Sequence, residues 1–365
     1  MMQLCLLTNG DFNSRKVWSG TLWQLYQSFS QLDDLDTSAI NYTLPRLWKS
    51  FCAHAFSFHD NEFVIGGSRD PWYRLWMEHR QKQALAKKAP TGWRFFVCDH
   101  NCPKNRIGKE RYAIYVDGAV EIFWKYLKGN AFWRKWYENY VRQYEQASIQ
   151  NADLIFTQNE WSRRFYIDEW GISEEKVHNV GFGVNLQPLS GLKDYFQEEL
   201  LIVLRHGTEH YKGLYLLLDA FERLRKRRSN VKLHVVGTTS RPLEGVTYWD
   251  NYPRSKTVEL FQKATLYVMP AIREPNGITY LEGLANKAPI VGLNRFAVPE
   301  FSGYGKWGFL CNQEDPEELA TVLEDALSDK QRLAEMGKMG QDFVIGRYDW
   351  TKVVINMKDA MEALS

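Results

Sequence analysis

Short apolar runs alternate with amphipathic stretches along most of this chain, the pattern of parallel strands joined by helices. Residues 3–8 (QLCLLT) read as a buried strand stopped by Asn9-Gly10. Ser19-Gly20 then opens a helix on which Leu22, Leu25, Tyr26 and Phe29 recur at helical spacing. The loop between them falls at the carboxyl end of the strand, where open α/β sheets take ligands. Further strands are predicted at 63–65, 94–98 (RFFVC), 113–116 (AIYV) and 152–157, and helices at 132–150 and 161–170. Trp133, Trp136, Tyr137, Tyr140 and Tyr144 share one side of the 132–150 helix, a stripe read as core. The texture changes at 177–191 (VHNVGFGVNLQPLSG), rich in Gly and Asn with Pro188, which reads as a linker.

The second half is more regular. Strands are predicted at 200–204, 231–236, 265–269, 289–293 and 308–311. Helices are predicted at 213–225, 258–264, 277–286 and 316–327, with a last one over 350–364. The expectation is two Rossmann-like parallel-sheet domains: 1–186, joined by the C-terminal helix 349–365, and 187–348.

Composition narrows the function. With 365 residues, 44% hydrophobic and 25% charged, the chain has enough apolar content for two cores and too little charge for disorder. A formal net charge of only +2 argues against a nucleic-acid coat. Of 14 Trp, 11 precede residue 180, and residues 51–150 hold 16 Lys+Arg against 10 Asp+Glu. That stretch reads first as aromatic core under a charged skin, and secondly as a face for a glycan, an anion or a membrane surface. The five cysteines make no disulfide framework. Cys98, His100 and Cys102 stand close together but match no zinc spacing, so no metal is expected. The start MMQLCLLTNGDF lacks a basic region and a long apolar run, and no stretch approaches the ~20 apolar residues of a membrane span. A cytoplasmic location is expected, with peripheral membrane contact open.

Chemistry concentrates in residues 270–292, PAIREPNGITYLEGLANKAPIVG. A loop holding Glu274 follows a strand, and a helix beginning near Gly277 carries Glu282. Unpaired N–H groups and partial positive charge at a helix start form a seat for a diphosphate, and glycine there lets the backbone approach closely. Carboxylates flanking such a seat can accept hydrogen bonds from sugar hydroxyls. On spacing alone the simpler reading is a surface Glu and an ordinary helical Glu. No G-x-G-x-x-G follows a strand, which disfavours a dinucleotide dehydrogenase.

The run EPNGITYLE, with seven residues between Glu274 and Glu282, resembles the E-x7-E motif of retaining glycosyltransferase family 4, a family with the GT-B fold. Pro270, Gly277, Gly283, Ala285 and the PIV at 289–291 also match the pattern. The resemblance runs from about Leu200 to the C-terminus through Lys212-Gly213, LLLDAF, Pro299-Glu300, GFL at 308–310 and Trp350. The first half matches weakly, at Ser19-Gly20-Thr21 and at the hinge GVN, 183–185.

The resemblance implies a fold of two domains facing a central cleft and a reaction in which a hexose passes from a UDP- or GDP-sugar to a hydroxyl of a lipid, glycan or small molecule. It implies retention at the anomeric carbon, no metal, no other cofactor and no nucleic-acid partner. Glu282 would accept ribose hydroxyls and Glu274 hydroxyls of the transferred sugar. The N–H groups of Asn276, Gly277, Ile278 and Thr279 would hold the sugar and distal phosphate, and Lys212 and Arg205 would neutralise the diphosphate. The family usually spaces that Arg about five residues before the Lys; here the numbers differ by seven, which opens His206 and His210 as alternatives. Gly20 would approach the diphosphate from the other domain. Asp117 would face the sugar or the acceptor, or cap the following helix, and whether His100 lines the cleft is left open. A same-face attack assisted by the leaving phosphate and a covalent intermediate on Asp117 both fit. A nucleotide-sugar epimerase, a phosphorylase and a sugar-binding module without turnover remain as other readings.

Overall fold

A computed structural model describes residues 1–14, 17–43, 45, 47–48, 51, 58–60, 63–65, 71–88, 92–97, 103, 105–106, 108–119, 132–250 and 253–364. The chain forms two compact units, Met1–Gly183 with Trp350–Ser365, and Val184–Asp349. Each holds a six-stranded sheet whose neighbouring strands all run parallel, so the expected α/β class is observed.

In the first unit the strands are β1 (Met2–Thr8), β2 (Leu35–Asn41), β5 (Trp93–Val97), β6 (Tyr112–Val116), β7 (Leu154–Thr157) and β8 (Val177–Asn179), in the order β2-β1-β5-β6-β7-β8. Between them, β3 (Phe58–Asp60) and β4 (Phe63–Ile65) pair antiparallel as a separate hairpin. The inner strands are apolar on both faces because helices cover both sides of a parallel sheet, and every residue of β5 and β6 is buried. Gly20, at φ 91°, caps the start of the helix Thr21–Ser30, which buries Leu22, Leu25 and Phe29. The last helix, Trp350–Ala363, packs beside it through Val353, Val354, Met357 and Met361, and Lys358 Nζ reaches Asp34 at 2.7 Å.

Several elements depart from the sequence reading. The helix Pro71–Lys88 was not expected, because its buried side includes Arg74 and Gln81. Arg74 is ion-paired with Glu145 at 3.6 Å and lies over the face of Tyr144. The aromatic stripe of the helix Phe132–Gln150 is not all core. Tyr144 is buried and donates to Glu78 at 2.6 Å, whereas Trp136 is 62% exposed and stacks on Tyr140. The side chains of Trp133 and Tyr137 lie outside the described residues. Over 161–170 the chain is α-helical only for Glu160–Arg164 and continues as a π-helical turn, Phe165–Glu169.

The second unit contains β9 (Glu199–Val203), β10 (Lys232–Val236), β11 (Val246–Trp249), β12 (Leu266–Val268), β13 (Ile290–Leu293) and β14 (Gly308–Cys311), in the order β11-β10-β9-β12-β13-β14. Numbered within the unit this is 3-2-1-4-5-6, the doubly wound order, and it reverses between β9 and β12. The helices are Leu214–Arg227, Arg254–Lys263, Ile278–Ala285, Val298–Phe301, Pro316–Ser328 and Lys330–Arg347. Edge strand β11 and the helix Lys330–Arg347 were not expected. The strand has no fully buried residue, and the helix contains Gly337, Gly340 and Gly346.

Candidate functional site

The strand order reverses between β9 and β12, and at such a point open α/β sheets bind ligands in the crevice outside the carboxyl ends of the strands. Two loops line it, residues 204–213 after β9 and 269–277 after β12. They are tied by backbone: the N–H groups of Ile272 and Arg273 both donate to Tyr211 O, at 2.8 and 3.1 Å. At Gly213 (φ 77°) a Cβ would lie 2.0 Å from Pro270 O, so only glycine lets the loops come this close.

Lys212 is buried, and its Nζ lies 3.2 Å from Glu274 Oε2. The first loop is braced by Thr208, whose hydroxyl donates to Arg205 O at 2.6 Å and accepts from Arg205 N at 3.2 Å. The Arg205 side chain itself is exposed. His206 is also exposed, with Nδ1 3.4 Å from Glu209 Oε1. Glu209 accepts from Thr238 Oγ1 at 2.5 Å; burial alone would raise its carboxyl, yet this and backbone hydrogen bonds hold it below the usual range. His210 is exposed beside Tyr215.

The second loop ends in Asn276 and Gly277, both buried. Gly277, at φ 72°, caps the eight-residue helix Ile278–Ala285. A Cβ there would meet the Tyr280 ring at 2.7 Å. Two buried tyrosines fix the helix start to the sheet. Tyr280 donates to Met269 O, and Tyr267 donates to Thr279 Oγ1 at 2.6 Å. The Thr279 hydroxyl is therefore turned inward, which leaves backbone as its means of meeting a ligand. The N–H of Tyr280 bonds Gly277 O at 2.9 Å, whereas those of Ile278 and Thr279, the first two of the helix, have no acceptor within it.

Glu282 lies one turn further on. Burial pushes its carboxyl up to about 7, against weaker opposing pulls from Arg254 and Lys212. In the first loop, burial and the Glu274 carboxylate push Tyr211 up to about 12. The second unit thus brings together Lys212, Glu274, Asn276, Gly277, Ile278, Thr279 and Glu282, with Arg205 on the same first loop. Gly20 and Asp117 belong to the first unit. Asp117 is half-buried directly after β6, and its carbonyl accepts from Ser162 Oγ at 3.5 Å. His100, Cys98 and Cys102 lie outside the described residues. Among the described residues no group of three His, Cys, Asp or Glu could hold a metal ion.

Residues 194–343 match the family described as Glycosyl transferases group 1. The match covers 150 of the 365 residues and lies within the second unit. Among curated relatives, mannosylfructose-phosphate synthase of Agrobacterium fabrum is 22% identical over 240 residues, 58% of this chain and 53% of that protein. A GDP-mannose-dependent alpha-(1-6)-phosphatidylinositol monomannoside mannosyltransferase of Mycolicibacterium smegmatis is 27% identical over 158 residues, 38% of this chain and 41% of that protein. The chain spans about half the length of the first of these relatives, or less. Among solved structures, sucrose-phosphate synthase from Thermosynechococcus elongatus superposes with a TM-score of 0.72 at 13% identity, covering 100% of this chain and 99% of that one. Anabaena HepE in complex with UDP gives 0.67 at 14% identity, covering 100% of both. These likenesses show the GT-B fold. The group 1 match ends before the last helix and begins just before β9, so it embraces both crevice loops and every site residue of the second unit.

Sequence reading missed Thr208, Glu209, Tyr267 and Tyr280, which shape the crevice without carrying a family signature. A signal was available for the tyrosines, because a Tyr in a buried strand or helix must find a partner for its hydroxyl.

Proposed function

We propose that the chain is a retaining hexosyltransferase whose second unit seats the diphosphate of a UDP- or GDP-sugar at the N-terminus of the helix Ile278–Ala285. One observation carries this reading. A buried Lys212 paired with Glu274, and two helix amides without helical acceptors, meet at the switch point of a doubly wound sheet. Relatives named as GDP-mannose-dependent and a neighbour named as a UDP complex support a nucleotide-linked donor.

The chemistry follows from charge. As the anomeric C–O bond breaks, its electron pair moves onto the diphosphate and the sugar gains oxocarbenium character. Lys212, Arg205 and the amides of Gly277, Ile278 and Thr279 oppose the developing negative charge. Glu274 and Asn276 orient the sugar hydroxyls, and Glu282 accepts the ribose hydroxyls. The acceptor hydroxyl attacks the face the phosphate leaves, and its proton passes to a phosphate oxygen. Gly20 and Asp117 lie at the carboxyl edge of the first sheet, the edge used for ligands; we assign Gly20 to the donor and Asp117 to the sugar or acceptor. No metal or organic cofactor enters this scheme.

Calorimetric titration with UDP, GDP and their sugars tests the seat, and NMR of the product's anomeric centre tests retention. Unchanged turnover in EDTA tests metal independence. Absence of nucleoside diphosphate binding, or equal binding by Glu282→Ala, would overturn the donor site.

A second reading concerns where the acceptor resides. No helix among the described residues is long and apolar enough to cross a membrane. The first unit nevertheless exposes Trp48, Phe51, Leu75 and Trp76, with Trp48 5.0 Å from Trp76, beside exposed Arg80 and Lys87. Amphipathic rings flanked by cations suit an anionic bilayer surface. Sedimentation with phosphatidylglycerol vesicles, lost in Trp76→Ala and in high salt, is the expected outcome; equal recovery with and without vesicles refutes it.

A further inference from the structure

The helix that carries Glu282 is gripped at its far end by a segment that precedes β9. Lys193 Nζ lies 2.6 Å from Asn286 O, just past that helix, and 3.0 and 3.1 Å from Phe261 O and Gln262 O, in the last turn of the helix Arg254–Lys263. Around it, Leu189 N–H and Gln341 Nε2 both donate to Ala285 O, at 3.1 and 2.6 Å, and Tyr195 OH donates to Lys287 O at 2.7 Å. Gly337 leaves room for this grip, since a Cβ there would stand 2.1 Å from the Tyr195 oxygen.

Three carbonyls around one nitrogen call for three N–H donors. An ammonium has three and a neutral amine two, so the geometry selects the charged form. The carbonyls also belong to two helix C-termini, where partial negative charge collects. Burial, with a smaller push from Lys287, brings Lys193 down to about 7, a cost to the charged form that hydrogen bonds to these carbonyls oppose. The two helices it joins both serve the crevice. One presents Glu282 and the Ile278 and Thr279 amides, and the other begins with Arg254, whose charge favours the Glu282 carboxylate.

We propose that Lys193 is a positioning residue for the nucleotide donor: its ammonium locks the helix bearing Glu282 to the helix bearing Arg254 without touching the ligand. The inference rests on the donor seat described above. An eight-residue helix is a rod of about 12 Å, so freedom at its C-terminus reaches its first amides.

The test compares Lys193→Met, Lys193→Gln, Lys193→Arg, Tyr195→Phe and Glu282→Ala for UDP and GDP affinity, donor KM, kcat, Tm and amide exchange over residues 278–282. Lys193→Met is expected to weaken nucleoside diphosphate binding and raise donor KM about tenfold, to speed exchange at 278–282 and to leave kcat within about threefold. Lys193→Arg, which keeps the charge, restores most of the affinity. Lys193→Gln is intermediate, and it carries the test if the Met variant does not fold. Tyr195→Phe removes a neutral donor from the same helix end and is expected to lower Tm with affinity unchanged. Wild-type affinity in a folded Met or Gln variant overturns the proposal. So does a loss of affinity in Tyr195→Phe that tracks its loss of Tm, because the grip would then be merely structural. If Glu282→Ala binds nucleotide as tightly as the wild type, the donor seat itself is wrong. If Glu282→Ala loses binding while the Lys193 variants do not, only the role of Lys193 fails.

Discussion

Glu282 shows how burial makes a carboxylate conditional. Its carboxyl is raised to about 7, so near neutrality a substantial fraction is protonated and can offer one fewer acceptor to a ribose diol. Donor affinity is therefore expected to rise with pH up to about 8 and then level off, and Glu282→Gln should flatten the profile. The sign for stability is the reverse. A carboxyl whose folded value is raised contributes most below its ordinary value near 4.5 and loses that contribution as pH climbs through about 7. Without ligand, Glu282→Gln should thus melt higher than wild type at pH 8, by about 2–4 °C, and show no gain at pH 4. Equal melting at pH 8 would mean that the carboxyl is solvated after all. Lys212 acts differently, because its cation faces charge that grows during bond cleavage. Lys212→Ala is expected to lower kcat about 10²–10³-fold while donor KM moves little, as initial rates over a donor series would reveal. A loss confined to KM would make Lys212 a binding residue only.

At the scale of elements, the seat depends on one backbone conformation. Gly277 turns the chain at φ 72°, and a side chain there would be strained and would also strike the Tyr280 ring. Gly277→Ala is expected to cost about 1–3 kcal/mol and to abolish nucleotide binding, read from denaturant unfolding and titration of the same preparation. Tyr280→Phe keeps the ring and removes one of two donors to Met269 O, which retains the Ala271 N–H at 2.8 Å, so it is expected to cost about 0.5–1.5 kcal/mol. This is also the scale at which sequence was most and least informative. Strands such as β9 and β13 are buried on both faces and read as unbroken apolar runs. Edge strands β2 and β11 bury little and left no such trace. The helix Lys330–Arg347 was hidden by glycines that serve packing: a Cβ at Gly340 would meet Leu284 at 2.6 Å. Within the site, Glu274, Glu282 and Lys212 could be named because they stand in runs that resemble a family's sequence pattern. Thr208, Glu209 and Tyr267 could not, because what they do exists only once two loops and a strand are brought side by side.

At the scale of the molecule, the chain begins and ends in the same unit, and the last helix completes a core that residue 30 left open. Val353, Val354, Met357 and Met361 are buried there, and the Trp350 ring lies so close to Gly183 that a Cβ on that glycine would come within 2.2 Å. Removing residues 350–365 would strip five buried apolar side chains from that core, Trp350 among them, each contributing about 1.5–3 kcal/mol when fully buried, which together approach the whole stability of an ordinary domain. The donor-seat residues of the second unit all lie between 205 and 282. The truncated chain is therefore expected to lose amide protection over residues 21–30 and 112–116 while the helix Leu214–Arg227 keeps it. Nucleoside diphosphate should still protect residues 276–282 in the truncated chain, and sugar transfer should vanish with the first unit. Uniform loss of protection across both sheets would show instead that the second sheet cannot stand without the first, and the donor seat would then belong to the molecule as a whole rather than to one of its units.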